Sequence, residues 1–222
     1  MAHSRAMPNA PSTAVRLRVP LAVSDRIEDV ARSLHLPRDE IVELVMRSRL
    51  DGPDSPAARL WEQYAAGVSQ TPAEVKAKLK AAGFGNERVR ALRIGSPAPD
   101  REPVPWPRPG TGAELSWSAV EVWPIVRGLW RMNSTGVAVI VALRLGYTLG
   151  VYRVGGWAEH MASGRKYALN ATIVTPAGRL QDAETSADVG PASEAHLALL
   201  NVVSAAPIVA TGQQPVVMLS DH

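Results

Sequence analysis

Val15-Arg16-Leu17-Arg18-Val19-Pro20, and after it Ser24-Asp25-Arg26-Ile27-Glu28-Asp29-Val30-Ala31-Arg32-Ser33-Leu34-His35-Leu36-Pro37-Arg38-Asp39-Glu40-Ile41, decides how this chain is read. Successive side chains of a strand point to opposite faces, so Val15, Leu17 and Val19 share one face and Arg16 and Arg18 the other. Pro20 ends the alternation. Ser24 or Asp25 suits a helix cap, and Ile27, Val30, Ala31 and Leu34 then recur at helical spacing as one apolar stripe. Beyond the turn His35-Leu36-Pro37 a second helix is predicted, with Ile41, Val42, Leu44, Val45, Met46 and Leu50 covering more than one face.

A lone strand cannot pair its ladder groups, and a segment below about 40 residues rarely buries so broad an apolar face by itself. The pattern therefore predicts a homodimer with paired strands and interlocked helices. Its shared core would be Val15, Leu17, Val19, Ile27, Val30, Leu34, Ile41, Leu44 and Val45. Arg16 and Arg18 of both copies would then lie on one face of a two-stranded ribbon. Such a ribbon fits the DNA major groove, where arginine gives two parallel hydrogen bonds to guanine.

The order strand, helix, tight turn, helix, with Arg26-Ile27-Glu28-Asp29-Val30-Ala31 and Leu36-Pro37-Arg38-Asp39-Glu40-Ile41 as its two-helix part, resembles the ribbon-helix-helix family that includes the Arc and MetJ repressors. The resemblance covers Val15 to about Arg49. It implies sequence-specific binding of double-stranded DNA as a dimer, and a transcriptional regulator. It also implies that Arg16 and Arg18 read bases, and that the start of the second helix, Pro37, Arg38 and Asp39, holds a phosphate on backbone amides and the Arg38 guanidinium. Two positions depart from the family's pattern: His35 stands where glycine is common in the turn, and Pro37 where Ser or Thr is common as the cap. Asp39 and Glu40 suit the helix dipole but repel a phosphate. The alternative reading is a dimeric interaction protein, antitoxin-like or partner-binding, whose N-terminal module only dimerises while the C-terminal domain binds a protein or small ligand.

Outward from this segment, composition divides the chain into a flexible arm (1–13), the ribbon-helix-helix module (14–52), a helical and proline-rich linker region (53–112) and a C-terminal α+β domain (113–222) with a small, mostly antiparallel sheet. Within the linker, Thr71-Pro72-Ala73-Glu74 is a helix start and Gly83 a stop. Lys76, Lys78, Lys80, Arg88, Arg90 and Arg93 read as a solvated basic face, with extra phosphate contact as the other reading. Further on, residues 136–145 and 147–154 suggest a hairpin around Gly146, residues 167–175 a strand stopped by Pro176, 193–203 a helix, and 215–219 an edge strand.

The 222 residues carry 24 Lys plus Arg against 21 Asp plus Glu, a formal charge of +3 that permits nucleic acid as a partner without demanding it. With no cysteine, disulfides, cysteine-ligated metals and cysteine nucleophiles are excluded. No P-loop, GxSxG, HExxH or GxGxxG is present, so the expectation is a protein that is not an enzyme and takes no cofactor or metal. Two acid and base pairs, Glu159 with His160 and Glu194 with His196, read as surface residues, and Trp117, Trp123 and Trp130 as a packing cluster around Pro124. The N-terminus lacks the apolar run of a secretory signal. Residues 197–220 carry no charge until Asp221, but prolines and a glycine interrupt them, so no membrane span is expected and the chain reads as cytoplasmic.

Overall fold

The computed structural model describes residues 20–100, 104–128, 130, 134, 136–161, 163–210 and 215–220. Three helices come first: α1 (Leu21–Leu34), α2 (Arg38–Leu50) and α3 (Pro56–Ala65). There follow α4 (Pro72–Leu79), a single π turn (Lys80–Phe84), β1 (Arg88–Arg93), α5 (Ala119–Val126), β2 (Val137–Arg144), β3 (Tyr147–His160), β4 (Arg165–Val174), β5 (Arg179–Asp182), β6 (Asp188–Pro191), α6 (Glu194–Ser204) and β7 (Val216–Met218).

The sheet runs β6-β5-β4-β3-β2-β1-β7 and is mostly antiparallel, with β1 and β2 parallel. Both faces are covered. On one, Val122, Trp123, Ile125 and Val126 of α5 pack over Leu92, Ile140, Ala142, Tyr152 and Ile173. On the other, Val75 and Leu79 of α4 and Leu199 and Val203 of α6 pack over Val89, Ala91, Val139, Val141 and Val151. Side chains alternate along each strand, so one strand feeds both cores.

The local signals act where they stand. Thr71 and Glu74 form a reciprocal capping box at α4, Ser118 and Glu121 another at α5, and Ser193 with His196 a third at α6. Leu145 and Gly146 take positive φ (51° and 79°) in the β2–β3 turn, as a two-residue hairpin requires.

Several expectations need correction. Residues 53–112 are not only a linker, because they hold α3, α4 and β1, and β1 is an interior strand between β2 and β7. Its arginines disguise it. Val89, Ala91 and Leu92 are fully buried, and Arg90 itself is only 8% exposed, so this part of the supposed basic surface lies inside the sheet. The sheet is accordingly seven-stranded rather than small. Helix α1 begins at Leu21 after Pro20, not at a Ser24 or Asp25 cap; proline's fixed φ and missing amide hydrogen suit the residue before a first turn. Finally, the apolar face expected to need a second copy is covered within one chain. Ile27, Val30, Leu34, Ile41 and Leu44 are buried against Ala57, Leu60 and Tyr64 of α3 and against Leu145 of the β2–β3 turn, while Val45 is half-buried beside them. Each such Ile or Leu contributes about 1.5–3 kcal/mol by leaving water.

Candidate nucleic-acid interface

The helix pair is closed by His35, which holds φ at 51°, in the left-handed region, and donates its amide to Arg32 O, while Leu36 N–H reaches Ala31 O at 3.0 Å. This is a glycine-type helix stop made by a non-glycine residue. Pro37 then leads into α2, whose first turn receives no side-chain cap. Pro37, Arg38 and Asp39 are all exposed, so the end expected to meet a phosphate faces solvent.

Arg38 is engaged with α1. Its Nη2 donates to Ser24 Oγ at 3.0 Å and its Nε stands 3.8 Å from Glu28 Oε1. The negative charge of Glu40 in the same turn is answered from the sheet: Arg144 Nη1 donates to Glu40 Oε2 at 2.7 Å, and its Nη2 to Ser96 Oγ at 2.7 Å. That arginine is 5% exposed and its carboxylate partner 27%. Two further links tie α3 to the hairpin tip and α1 to α3, in that order. Tyr64 Oη donates to Leu145 O at 2.5 Å, and Arg26 Nη2 donates to Tyr64 O and Ala65 O at 2.8 Å each. Burial pushes the Tyr64 phenol well above its usual range. A cavity of about 190 Å³ lies at this junction, with Glu40, Arg93 and Arg144 in its wall.

The outer side of the pair is only partly covered. Val42 and Val45 are half-buried, whereas Met46 is 40% exposed, Leu50 76% and Leu21 77%. Val42, Met46 and Leu50 are spaced by four and form a stripe beside the buried Ile41 and Leu44.

Of the predicted site residues, Pro37, Arg38 and Asp39 stand together at the start of α2. Arg16 and Arg18, with Val15, Leu17 and Val19, lie outside the described residues. Ile27, Val30, Leu34, Ile41 and Leu44 meet in one core. The residues that sequence reasoning missed are Tyr64, Arg144 and Leu145; the one local signal was a charge, Arg144, closing an apolar run just before a glycine turn.

The other candidate groups are used locally. Glu159 pairs with Lys166, and His160 Nδ1 lies 3.0 Å from Ser163 Oγ. His196 Nδ1 accepts from Ser193 N–H at 3.2 Å, and burial lowers its basicity. Lys78 donates to Gln70 at 3.1 Å. Among the described residues no cluster of three His, Asp or Glu could hold a metal ion, and no helix is long and apolar enough to cross a membrane. Comparison with family models, curated proteins and solved structures finds no match.

Proposed function

We propose that this chain is a sequence-specific DNA-binding protein that acts as a dimer, a transcriptional regulator, with Arg16 and Arg18 reading base edges and the start of α2 placed against the phosphate backbone. The observation that carries the reading is the apolar pair Met46 and Leu50, left open beside half-buried Val42 on a helix pair whose first helix starts at Leu21, directly after Val15-Arg16-Leu17-Arg18-Val19-Pro20. A second copy laid on that stripe gives a particle that carries two such basic segments. The dimer contact in this account is the outer stripe, since the inner one is already filled by α3 and Leu145.

Selection from a random-duplex pool at two salt concentrations tests it, with an Arg16→Ala/Arg18→Ala double variant alongside. Enrichment of a palindromic motif by the parent chain and its loss in the variant support the reading; an unenriched pool at both salts contradicts it.

One observation favours a second reading, in which the module dimerises and the C-terminal part binds a partner. Arg38, the cation nearest the start of α2, is held by Ser24 and Glu28. A dimeric chain with no salt-dependent affinity for DNA would favour that reading over the first.

A further inference from the structure

Strand β3 has an edge that no strand among the described residues occupies. Its pairing with β4 ends at Tyr152↔Ile173, because β4 stops at Val174 and the chain turns away at Pro176. Among the described residues, Tyr147, Thr148, Gly150 and Val151 therefore pair with β2 on one side only, with a bulge at Leu149. This bare edge does not face open water: it forms one wall of a cleft of about 570 Å³ bounded by α3, the start of α5, the end of β4 and α6.

The cleft is held open by bonds across its walls. Thr148 Oγ1 donates to Val203 O at 2.7 Å, tying β3 to α6, and Tyr152 Oη donates to Ala119 O at 2.7 Å, tying β3 to α5. Gly150 makes the second tie possible, since a Cβ there would stand 2.6 Å from the Tyr152 hydroxyl oxygen. Half-buried Trp117, Tyr147 and Leu200 supply apolar surface, and Arg59 is the one charged side chain in the lining among the described residues. Its Nε and Nη2 donate to Asp54 O, which fixes the guanidinium on the surface of α3.

We propose that this cleft binds an extended peptide segment, which adds as a strand to the Tyr147–Gly150 edge of β3, places alternate apolar side chains against Trp117 and Tyr147, and presents an acidic side chain to Arg59. A row of unpaired backbone groups is the recognition element of strand addition, and pockets for alternate side chains give its selectivity. At ~3.3 Å per residue the edge offers roughly 13 Å, enough for about four residues. A compact small molecule would use the apolar walls but not the row. The proposal is independent of DNA binding.

The test is selection of a displayed random heptapeptide library on the full chain, followed by titration of the enriched peptides and of versions N-methylated at alternate residues. N-methylation removes backbone donors and leaves every side chain in place. The expected result is enrichment of sequences with alternating apolar residues and an acidic position. N-methylation in one of the two alternating sets should weaken binding at least tenfold, and Arg59→Glu should weaken the acidic peptides similarly. Ser204→Trp, on an exposed position at the cleft, should block binding. Enrichment no greater than on the Ser204→Trp chain, or peptides that bind equally well when N-methylated in either set, would overturn the proposal; the second result would mean a side-chain pocket of the small-molecule kind.

Discussion

Arg144 at the end of β2 donates to Glu40 in the first turn of α2 over 2.7 Å, joining the helix pair to the sheet through a pair that is deeper on one side than the other. The arginine is 5% exposed and the glutamate 27%. Removing the glutamate strands a buried cation, whereas removing the arginine leaves a carboxylate that can turn toward water. Glu40→Ala should therefore cost about 3 kcal/mol and Arg144→Met less, about 1–2 kcal/mol. Urea unfolding of the two variants gives the comparison, and the reverse order would contradict the geometry.

The turn at His35 should be improvable. A left-handed residue at a helix stop carries a penalty that glycine avoids, so His35→Gly should stabilise the chain by about 0.5–1 kcal/mol. Gly146→Ala should act oppositely, because its φ is 79° and a Cβ would stand 2.7 Å from the Tyr64 hydroxyl oxygen. Thermal melts of both variants decide.

Alkaline unfolding should report the two buried phenols. Burial raises the pKa of Tyr64 and of Tyr152 above the ordinary value of 10.0. Above that pH the unfolded chain loses protons that the folded chain keeps, so the two phenols' contribution to stability is level below pH 10 and falls beyond it, by up to about 1.4 kcal/mol per pH unit for each tyrosine. Tyr64→Phe and Tyr152→Phe should each flatten the fall by one such share, measured as unfolding free energy against pH. Tyr64→Phe should also cost about 1–3 kcal/mol at neutral pH, because the buried Leu145 carbonyl loses its donor.

Much of this architecture was legible locally. Thr71-Pro72-Ala73-Glu74 starts α4, Ser193 caps α6, Gly146 turns β2 into β3 and Pro176 follows the end of β4, each through a mechanism confined to a few neighbouring residues. Strand β1 was hidden because Arg88, Arg90 and Arg93 interrupt its apolar pattern, and because its burial comes from β2 and β7, far along the chain. The same limit applies at the candidate site. Periodicity shows that Ile27, Val30, Leu34, Ile41 and Leu44 form a stripe, but what covers it is Leu145 and Tyr64, and no helical period reports a contact between residues so distant.

In the proposed dimer the outer stripe is the contact. Met46→Glu/Leu50→Glu places two charges where a second copy would sit, on side chains already open to solvent, so the variant should remain folded and become monomeric. Sedimentation equilibrium with circular dichroism separates the two effects; an unfolded variant would place those residues in the chain's own core instead.

In the proposed complex two chains together read DNA through Arg16 and Arg18. The most direct measurement is sedimentation velocity of a labelled duplex carrying the selected motif, titrated with the parent chain, with Arg16→Ala/Arg18→Ala and with Met46→Glu/Leu50→Glu. Two parent chains per duplex and strong weakening in both variants are expected, with each arginine contributing about 1–3 kcal/mol on the motif and less on random DNA. Equal binding by all three proteins, or none by the parent, would contradict the proposal.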